Sequence, residues 1–418
     1  MAKVAVAILL AGLALAPLPA PAQQGSPPLL RARIVDSTGV PRTGALVLAL
    51  DPAAGTELAR AVTDTEGNVT LRLAVTSVRL RVLSIGQAPS DAGLARVAAG
   101  GAPVTVRVGF RPIVLPAVVT SERSQCGRPA GGSAAAVLLA EARTAILLSQ
   151  SVPAGTPPRA TVVRFAYWTG TDGAQQGRPT VTRASGASLR PFQSVPRAVL
   201  DAEGFVVEEP DGTVYRAPDA SWFTDDRFAG DHCFSLRASS DSSSALVGIA
   251  FEPRERARTV QVAGVLWVDS SSFALSHVDY RYIGLDRARA SGAGGSIRFA
   301  QLPSGLWFEE RWELRMPQLR TTLGTPDVAR GGRAASTVVD RVRVIGGQVL
   351  SLQLGDEVVF ANADAGLDSL EAAARAATVA GAAAPAAEAA GGAPGVTADS
   401  LVSAACALEP GELVEGEP

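Results

Sequence analysis

Apolar side chains recur at every second position along most of this chain, and that period of two commits it to strands. Successive strand residues point to opposite faces, so Leu30, Ala32 and Ile34 line one face while Arg31 and Arg33 line the other. The alternation returns at Val69, Leu71, Leu73, at Val78, Leu80, Val82 and at Val104, Val106, Val108. Ala45–Leu50 reads as a fully buried strand, and Ala59–Val62 as a shorter one. Between these runs stand Asp36-Ser37-Thr38-Gly39, Asp51-Pro52 and Thr63-Asp64-Thr65-Glu66-Gly67-Asn68, all turn formers. Short strands separated by turn signals predict an antiparallel sandwich over 29–119.

The period then changes. Ala136, Leu138, Leu139, Ala142, Ile146 and Leu147 recur at three and four, between Gly131-Gly132 and Pro153, and predict one linking helix over 132–150. From 159 to 360 the alternation resumes. It opens at Thr161–Trp168 and runs through Val262–Val268, Val278–Tyr282, Ile297–Phe299 and Trp312–Met316. It closes at Val338–Val344 and Val349–Leu354. Pro210-Asp211-Gly212 marks a hairpin, and Gly292–Gly295 reads as a turn. These features predict a large curved antiparallel sheet with one apolar face. Residues 361–418 read as a low-complexity acidic tail, too poor in buriable surface to offset its ordering entropy. The fold class expected is therefore mainly β: a sandwich, a linking helix, a large antiparallel sheet domain and a disordered tail.

Residues 1–22 read as a signal peptide. Lys3 precedes an uncharged apolar run, Val4–Ala16, and Ala20-Pro21-Ala22 offers small residues for cleavage before Gln23. The run is shorter than the roughly 18 apolar residues of a membrane span. Export to the periplasm or cell surface is the expectation, with no transmembrane helix after cleavage. The net charge of −2 hides an asymmetry, because residues 23–360 hold 36 arginines against 31 acids. No arginine block suggests a nucleic-acid groove, so nucleic acid is not an expected partner. Three cysteines, Cys126, Cys233 and Cys406, lack the spacing of a zinc or redox site. Cys126 and Cys233 are the candidate disulfide, closing a loop of about 100 residues and worth up to ~4.7 kcal/mol. The alternative is three buried or free thiols.

Ile34-Val35-Asp36, Gly39, Pro41, Gly44-Ala45 and Val47, then Thr63-Asp64, Gly67, Val69 and Leu71, then Leu80 and Ile85-Gly86, resemble the carboxypeptidase regulatory-like domain over 29–110. The resemblance implies a transthyretin-like sandwich acting as an accessory module, with some relatives binding carbohydrate. The glycine that usually opens the first strand of that family is absent, Ala32 or Arg33 standing in its place. Val114–Thr120 is similar to the segment after this domain in outer-membrane receptors, although a plain exit strand explains it equally well. The cadence of 159–360, with a helix before it, resembles the half-barrel of lipoprotein carriers such as the LolA family, a resemblance of pattern without a diagnostic motif.

Chemistry is sparse. The chain has two histidines, His232 and His277. A metal site would need both, and His277 shares a strand face with Asp279 and Arg281, which reads as a solvated or ion-paired face. The His-x-x-Glu pair of a zinc carboxypeptidase is missing, as are a Gly-x-Ser-x-Gly elbow and a phosphate-binding loop. Glu208-Glu209 and Glu309-Glu310 are adjacent pairs whose members would point to opposite faces of a strand, so neither forms an acid–base dyad alone. No cofactor, metal or catalytic residue is expected. Trp168, Trp222, Phe223, Trp267, Trp307 and Trp312 read as core, or as the lining of a groove if several share one face of the second sheet.

The expected function is thus that of a non-enzymatic envelope protein, a binding module for carbohydrate or an envelope protein through the first domain. The alternative is a periplasmic carrier of a lipid or acyl chain in the second. An outer-membrane barrel and a hydrolase are the remaining classes. The first is disfavoured because Glu415-Gly416-Glu417-Pro418 lacks a terminal aromatic strand, the second by the missing constellations.

Overall fold

The structure, a computed structural model, describes residues 29–362 except 98–102, 110, 115–124, 127–132, 152–157, 187–190, 211, 240–243, 256 and 328–331. The expected signal peptide, the Leu115–Thr120 part of the receptor-like segment, Cys406 and the tail from 363 onward lie outside the described residues. The fold is mainly β.

Seven strands come first: β1 (Leu29–Asp36), β2 (Leu46–Leu50), β3 (Glu57–Val62), β4 (Asn68–Arg72), β5 (Ser77–Ser84), β6 (Gln87–Arg96) and β7 (Val104–Val108). They make two sheets, ordered β4-β1-β7 and β3-β2-β5-β6. β1 runs parallel to β7, and the other pairs are antiparallel. The inward halves of the alternation, among them Leu30, Ile34, Val47, Val69, Leu71, Leu80 and Val82, meet in one core. The turns close by local bonds. Asp36 Oδ1 accepts from the amides of Thr38 and Val40 at 2.9 and 3.0 Å, and Asp64 Oδ1 from those of Glu66 and Asn68 at 2.9 and 2.8 Å. A Cβ on Gly67, at φ 78°, would stand 2.5 Å from the Ile34 carbonyl, so glycine is the residue that fits.

The strands and helices that follow are β8 (Gln125–Cys126), α1 (Ala134–Ser149), β9 (Pro158–Thr169), β10 (Gln175–Gly186), α2 (Arg197–Glu203), β11 (Val206–Glu209) and β12 (Gly212–Tyr215). Next come α3 (Ala220–Thr224), α4 (Asp226–Asp231), β13 (His232–Ala238), β14 (Leu246–Pro253), β15 (Gln261–Asp269), β16 (Leu275–Ile283) and α5 (Arg287–Ala290). The last are β17 (Gly294–Gln301), β18 (Trp307–Asp327), β19 (Gly332–Leu354) and β20 (Glu357–Ala361). One sheet of 11 strands dominates, ordered β10-β9-β19-β18-β17-β16-β15-β14-β13-β8 with β20 beside β19. All its pairings are antiparallel, and β11 and β12 form the expected hairpin apart from it.

Where one linking helix is expected, five helices are present among the described residues, and α1 packs on a sheet face rather than merely joining two units. Ser133 caps it, its Oγ accepting from the Ala136 amide at 3.2 Å. Its Leu138, Leu139, Ala142, Ala145 and Ile146 join Val262, Leu266, Val278, Ile297 and Leu314 of the sheet in one core. Leu46 and Val62 of the sandwich belong to that core too, with Leu48, Leu83 and Ile85 packed against it. The two units therefore touch. Gly44 and Gly305 meet so closely that a Cβ on Gly44 would stand 2.8 Å from the Gly305 Cα. Glu141 of α1, only 4% exposed, accepts the Gly86 amide at 2.7 Å from the β5–β6 turn. Burial pushes its carboxyl up to about 7, against the smaller opposing effect of that hydrogen bond.

Two glycine pairs lie in strands, one of them read as part of a turn and the other standing between runs read apart. Gly294-Gly295, read within a turn, begin β17, and Gly346-Gly347 lie inside the continuous strand β19. Aromatic side chains occupy the space their Cβ atoms would fill. Tyr280 Oη would lie 2.3 Å from a Cβ on Gly295, and a Trp312 ring carbon 2.2 Å from one on Gly347.

Candidate functional site

On β9, alternation puts Ala160, Val162, Arg164, Ala166 and Trp168 on the face that carries α1, while Val163, Phe165 and Tyr167 join Val344, Val181 and Leu350 on the other. Register then decides which side chains meet on the α1 face. Ala166 stands between Ile345 of β19 and Thr180 of β10, and Arg164 between Gly347 and Thr182. Trp168 stands opposite Arg343. Alanine and glycine at the centre of this patch leave a void that larger residues wall. Tyr280, Ile297, Trp312 and Leu314 form its sheet side, and Phe192 and Ala217 lie on its margin. The cavity measures about 260 Å³ and is mostly apolar. Phe192 stacks on Trp312 with ring centroids 6.0 Å apart and planes at 22°, which steadies one wall.

Charge is unevenly placed around this void. Arg164 and Arg343 line it, and neither has an ion-pair or hydrogen-bond partner among the described residues. Glu313 is the one acidic residue in the lining, and its carboxylate lies 3.9 Å from Arg311. Arg343 sits 5.7 Å from the Trp168 ring centroid and Arg341 sits 4.0 Å from it, contacts that hold guanidinium groups over an aromatic face. The Tyr280 hydroxyl donates to the Glu313 carbonyl at 3.3 Å and turns its polar end to the backbone. The arrangement presents apolar surface along the Trp312–Ile297 wall and two guanidinium groups along the β9–β19 wall.

A second cavity, about 370 Å³, is polar and lined by Arg197, Asp201, Asp231, His232, Arg254 and Glu255 among others. Arg197 is matched there by carboxylates. Arg197 donates to Asp201 at 2.7 Å and to Asp231 at 2.9 Å, with its guanidinium 5.6 Å from the Trp222 ring.

The residues singled out from the sequence scatter. Cys126 and Cys233 are joined by a disulfide between β8 and β13. His232 lies buried among Trp222, Phe228, Phe234 and Phe251, its Nδ1 2.9 Å from the Phe228 carbonyl, and burial holds its pKa below the usual value. His277 is on the opposite face, stacked on Trp267 and 3.4 Å from Asp279. The two are not brought together, and no group of three His, Cys, Asp or Glu side chains fit for a metal occurs among the described residues. Glu208 pairs with Arg289 and accepts from Thr213, while Glu309 is buried and Glu310 accepts from Asn362. Of the aromatics, Trp222, Phe223 and Trp307 are core, Trp267 donates to Asp279 on the far face, and Trp312 lines the apolar cavity with Trp168 beside it. Arg164, Ala166, Phe192, Ile345 and Gly347 carry no motif; a pairing register for β9, β18 and β19 is the signal that would have found them.

No described helix is long and apolar enough to cross a membrane. No family model matches the chain, and no curated protein matches it. Among solved structures the chain is similar to that of a DUF1329 family protein from Desulfovibrio piger, at 10% identity and a TM-score of 0.23, over 52% of this chain and 91% of that one.

Proposed function

We propose that this protein is a non-enzymatic, exported binding protein that holds the alkyl or acyl chain of an amphiphile in the cavity under Trp312. The observation that carries this reading is an apolar void on the core face of a sheet, walled by Phe192, Tyr280, Ile297, Trp312 and Leu314. At about 260 Å³ it sits just below the range of roughly 300–1,000 Å³ for small-molecule sites. Each methylene buried there contributes about 0.8 kcal/mol. The Cys126–Cys233 disulfide supports an oxidising compartment such as the periplasm or cell surface.

The sandwich at 29–110, with its resemblance to the carboxypeptidase regulatory-like domain, is then an accessory module, for which an envelope protein is the favoured partner. Carbohydrate is less favoured there, because no aromatic residue occurs between Leu29 and Gly109 to stack on a sugar ring.

The test is titration with N-phenylnaphthylamine, a neutral apolar fluorophore that brightens in dry surroundings. Saturable brightening, displaced by dodecanol and lost in Ala166→Trp, is the expected result. An Ala166→Trp protein that melts like the native one yet binds the fluorophore equally well would refute the cavity as the site.

A further inference from the structure

We infer that the amphiphile bound in this cavity carries an anionic headgroup, received by Arg164 and Arg343. The inference rests on the reading of the cavity as an alkyl-chain site and adds to it the chemical class of the ligand.

Arg164 and Arg343 lie on the same face of neighbouring strands, two same-face rows apart, with Ala166 and Ile345 between them. Both line the cavity and both are partly buried. Elsewhere on this unit several partly buried arginines are matched with carboxylates, as Arg197 is with Asp201 and Asp231, Arg216 with Glu203 and Arg289 with Glu208. Arg164 and Arg343 have no such match among the described residues, and the carboxylate of Glu313 lies nearest another arginine, Arg311. Two guanidinium groups drawn partly out of water without a counter-ion are an unmet electrostatic demand, because a charge in a less polar setting needs pairing. A planar guanidinium meets a carboxylate or phosphate through paired N–H donors. The threonine hydroxyls of Thr180 and Thr182, also in the lining, add donors beside them. Arg341, over Trp168, extends the positive charge past the cavity rim.

A ligand that satisfies both demands has an alkyl chain against Trp312 and Ile297 and a carboxylate or phosphate at the β9–β19 wall. Dodecanoate, dodecyl phosphate, dodecanol and dodecyltrimethylammonium present the same chain with different heads, and each is to be titrated against the full-length protein by displacement of N-phenylnaphthylamine. The two anions are expected to bind at least about tenfold more tightly than dodecanol, which corresponds to about 1.4 kcal/mol. That preference is expected to vanish in the Arg164→Gln/Arg343→Gln double variant. A higher affinity for dodecanoate than for dodecyl phosphate assigns the head to a carboxylate, and the reverse order to a phosphate ester. Equal binding of dodecanol and the anions, or tighter binding of the cation, overturns the inference and leaves the alkyl-chain site intact. Failure of every chain to bind overturns both. Should the double variant not fold, the native protein still decides. The anion preference then has to fall as salt is raised from low to about 1 M, where screening acts within about 3 Å, and a salt-independent ratio rejects an arginine origin.

Discussion

Replacing Glu141 by glutamine is expected to stabilise the protein, and by an amount that depends on pH. Glu141 is 4% exposed and receives one hydrogen bond, from the Gly86 amide at 2.7 Å. It lines a small pocket together with uncharged residues only, among them Leu83, Gln87 and Ile113 from the sandwich side and Val137, Ala140 and Thr144 from its own helix. Burial, opposed only by the Gly86 hydrogen bond, raises the carboxyl from 4.5 to about 7. At about 1.4 kcal/mol per pKa unit this rise is worth roughly 3 kcal/mol. The folded state binds the proton more tightly than the unfolded chain, so the stabilisation belongs to the protonated form. It is fully present below pH 4.5, declines as pH rises through about 7 and is lost above it. Glutamine keeps an acceptor for Gly86 and never ionises. Glu141→Gln should therefore match the native protein near pH 4.5 and exceed it by up to about 3 kcal/mol at pH 8. Urea unfolding of both proteins across that range, read from the midpoint at constant m, measures the difference directly. A variant less stable than the native protein at pH 8, or a difference that does not change with pH, would refute the reasoning.

Two further substitutions probe the sheet. Cys126→Ser/Cys233→Ser opens a loop spanning 107 positions and should lower stability by up to about 4.7 kcal/mol; an unchanged unfolding midpoint under non-reducing conditions would count against the bond. Gly347→Ala places a methyl group where a Trp312 ring carbon stands 2.2 Å away. It should cost about 1–3 kcal/mol and weaken N-phenylnaphthylamine binding, and a variant with native melting and native binding would show that the wall adjusts freely.

The strands most legible in the sequence are those with one face buried and one wet, because only they alternate. β1, β4, β5 and β7 are of this kind, and their turns announce themselves through Asp36, Asp64 and Gly67. Strands without an apolar face escape the same reading. β6 holds Pro89, Gly93 and a Leu94 that is 73% exposed, and β10 is exposed along most of its length, so neither has an apolar face to display. The gap left between Val344 and Val349 has a different cause. A glycine pair in a one-dimensional reading marks a turn, and only pairing with β9 and β18 shows the Phe165 and Trp312 rings that need the space. The cavity was beyond reach for the same cause. It is made of small residues at particular register positions, Ala166 opposite Ile345 and Arg164 opposite Gly347, and register between strands more than 170 residues apart leaves no trace in local pattern. Glu141 stands near Arg143 in a mostly apolar helix, and only the sandwich turn that reaches it shows that it is buried.

A broad open sheet has two borders, and a border is where strands of other molecules can add. Among the described residues the last strand on one side is β8 (Gln125–Cys126), fastened to β13 by the Cys126–Cys233 bond. On the other side β10 carries Pro179, which has no amide proton to offer, within a register shift between Gln176 and Thr180. One border is tied down by a covalent bond and the other is interrupted by a proline and an irregularity, a known way of blocking intermolecular growth. Reducing the single bond would loosen one of these guards, so thiol chemistry bears on whether the molecule stays separate as well as on whether it stays folded.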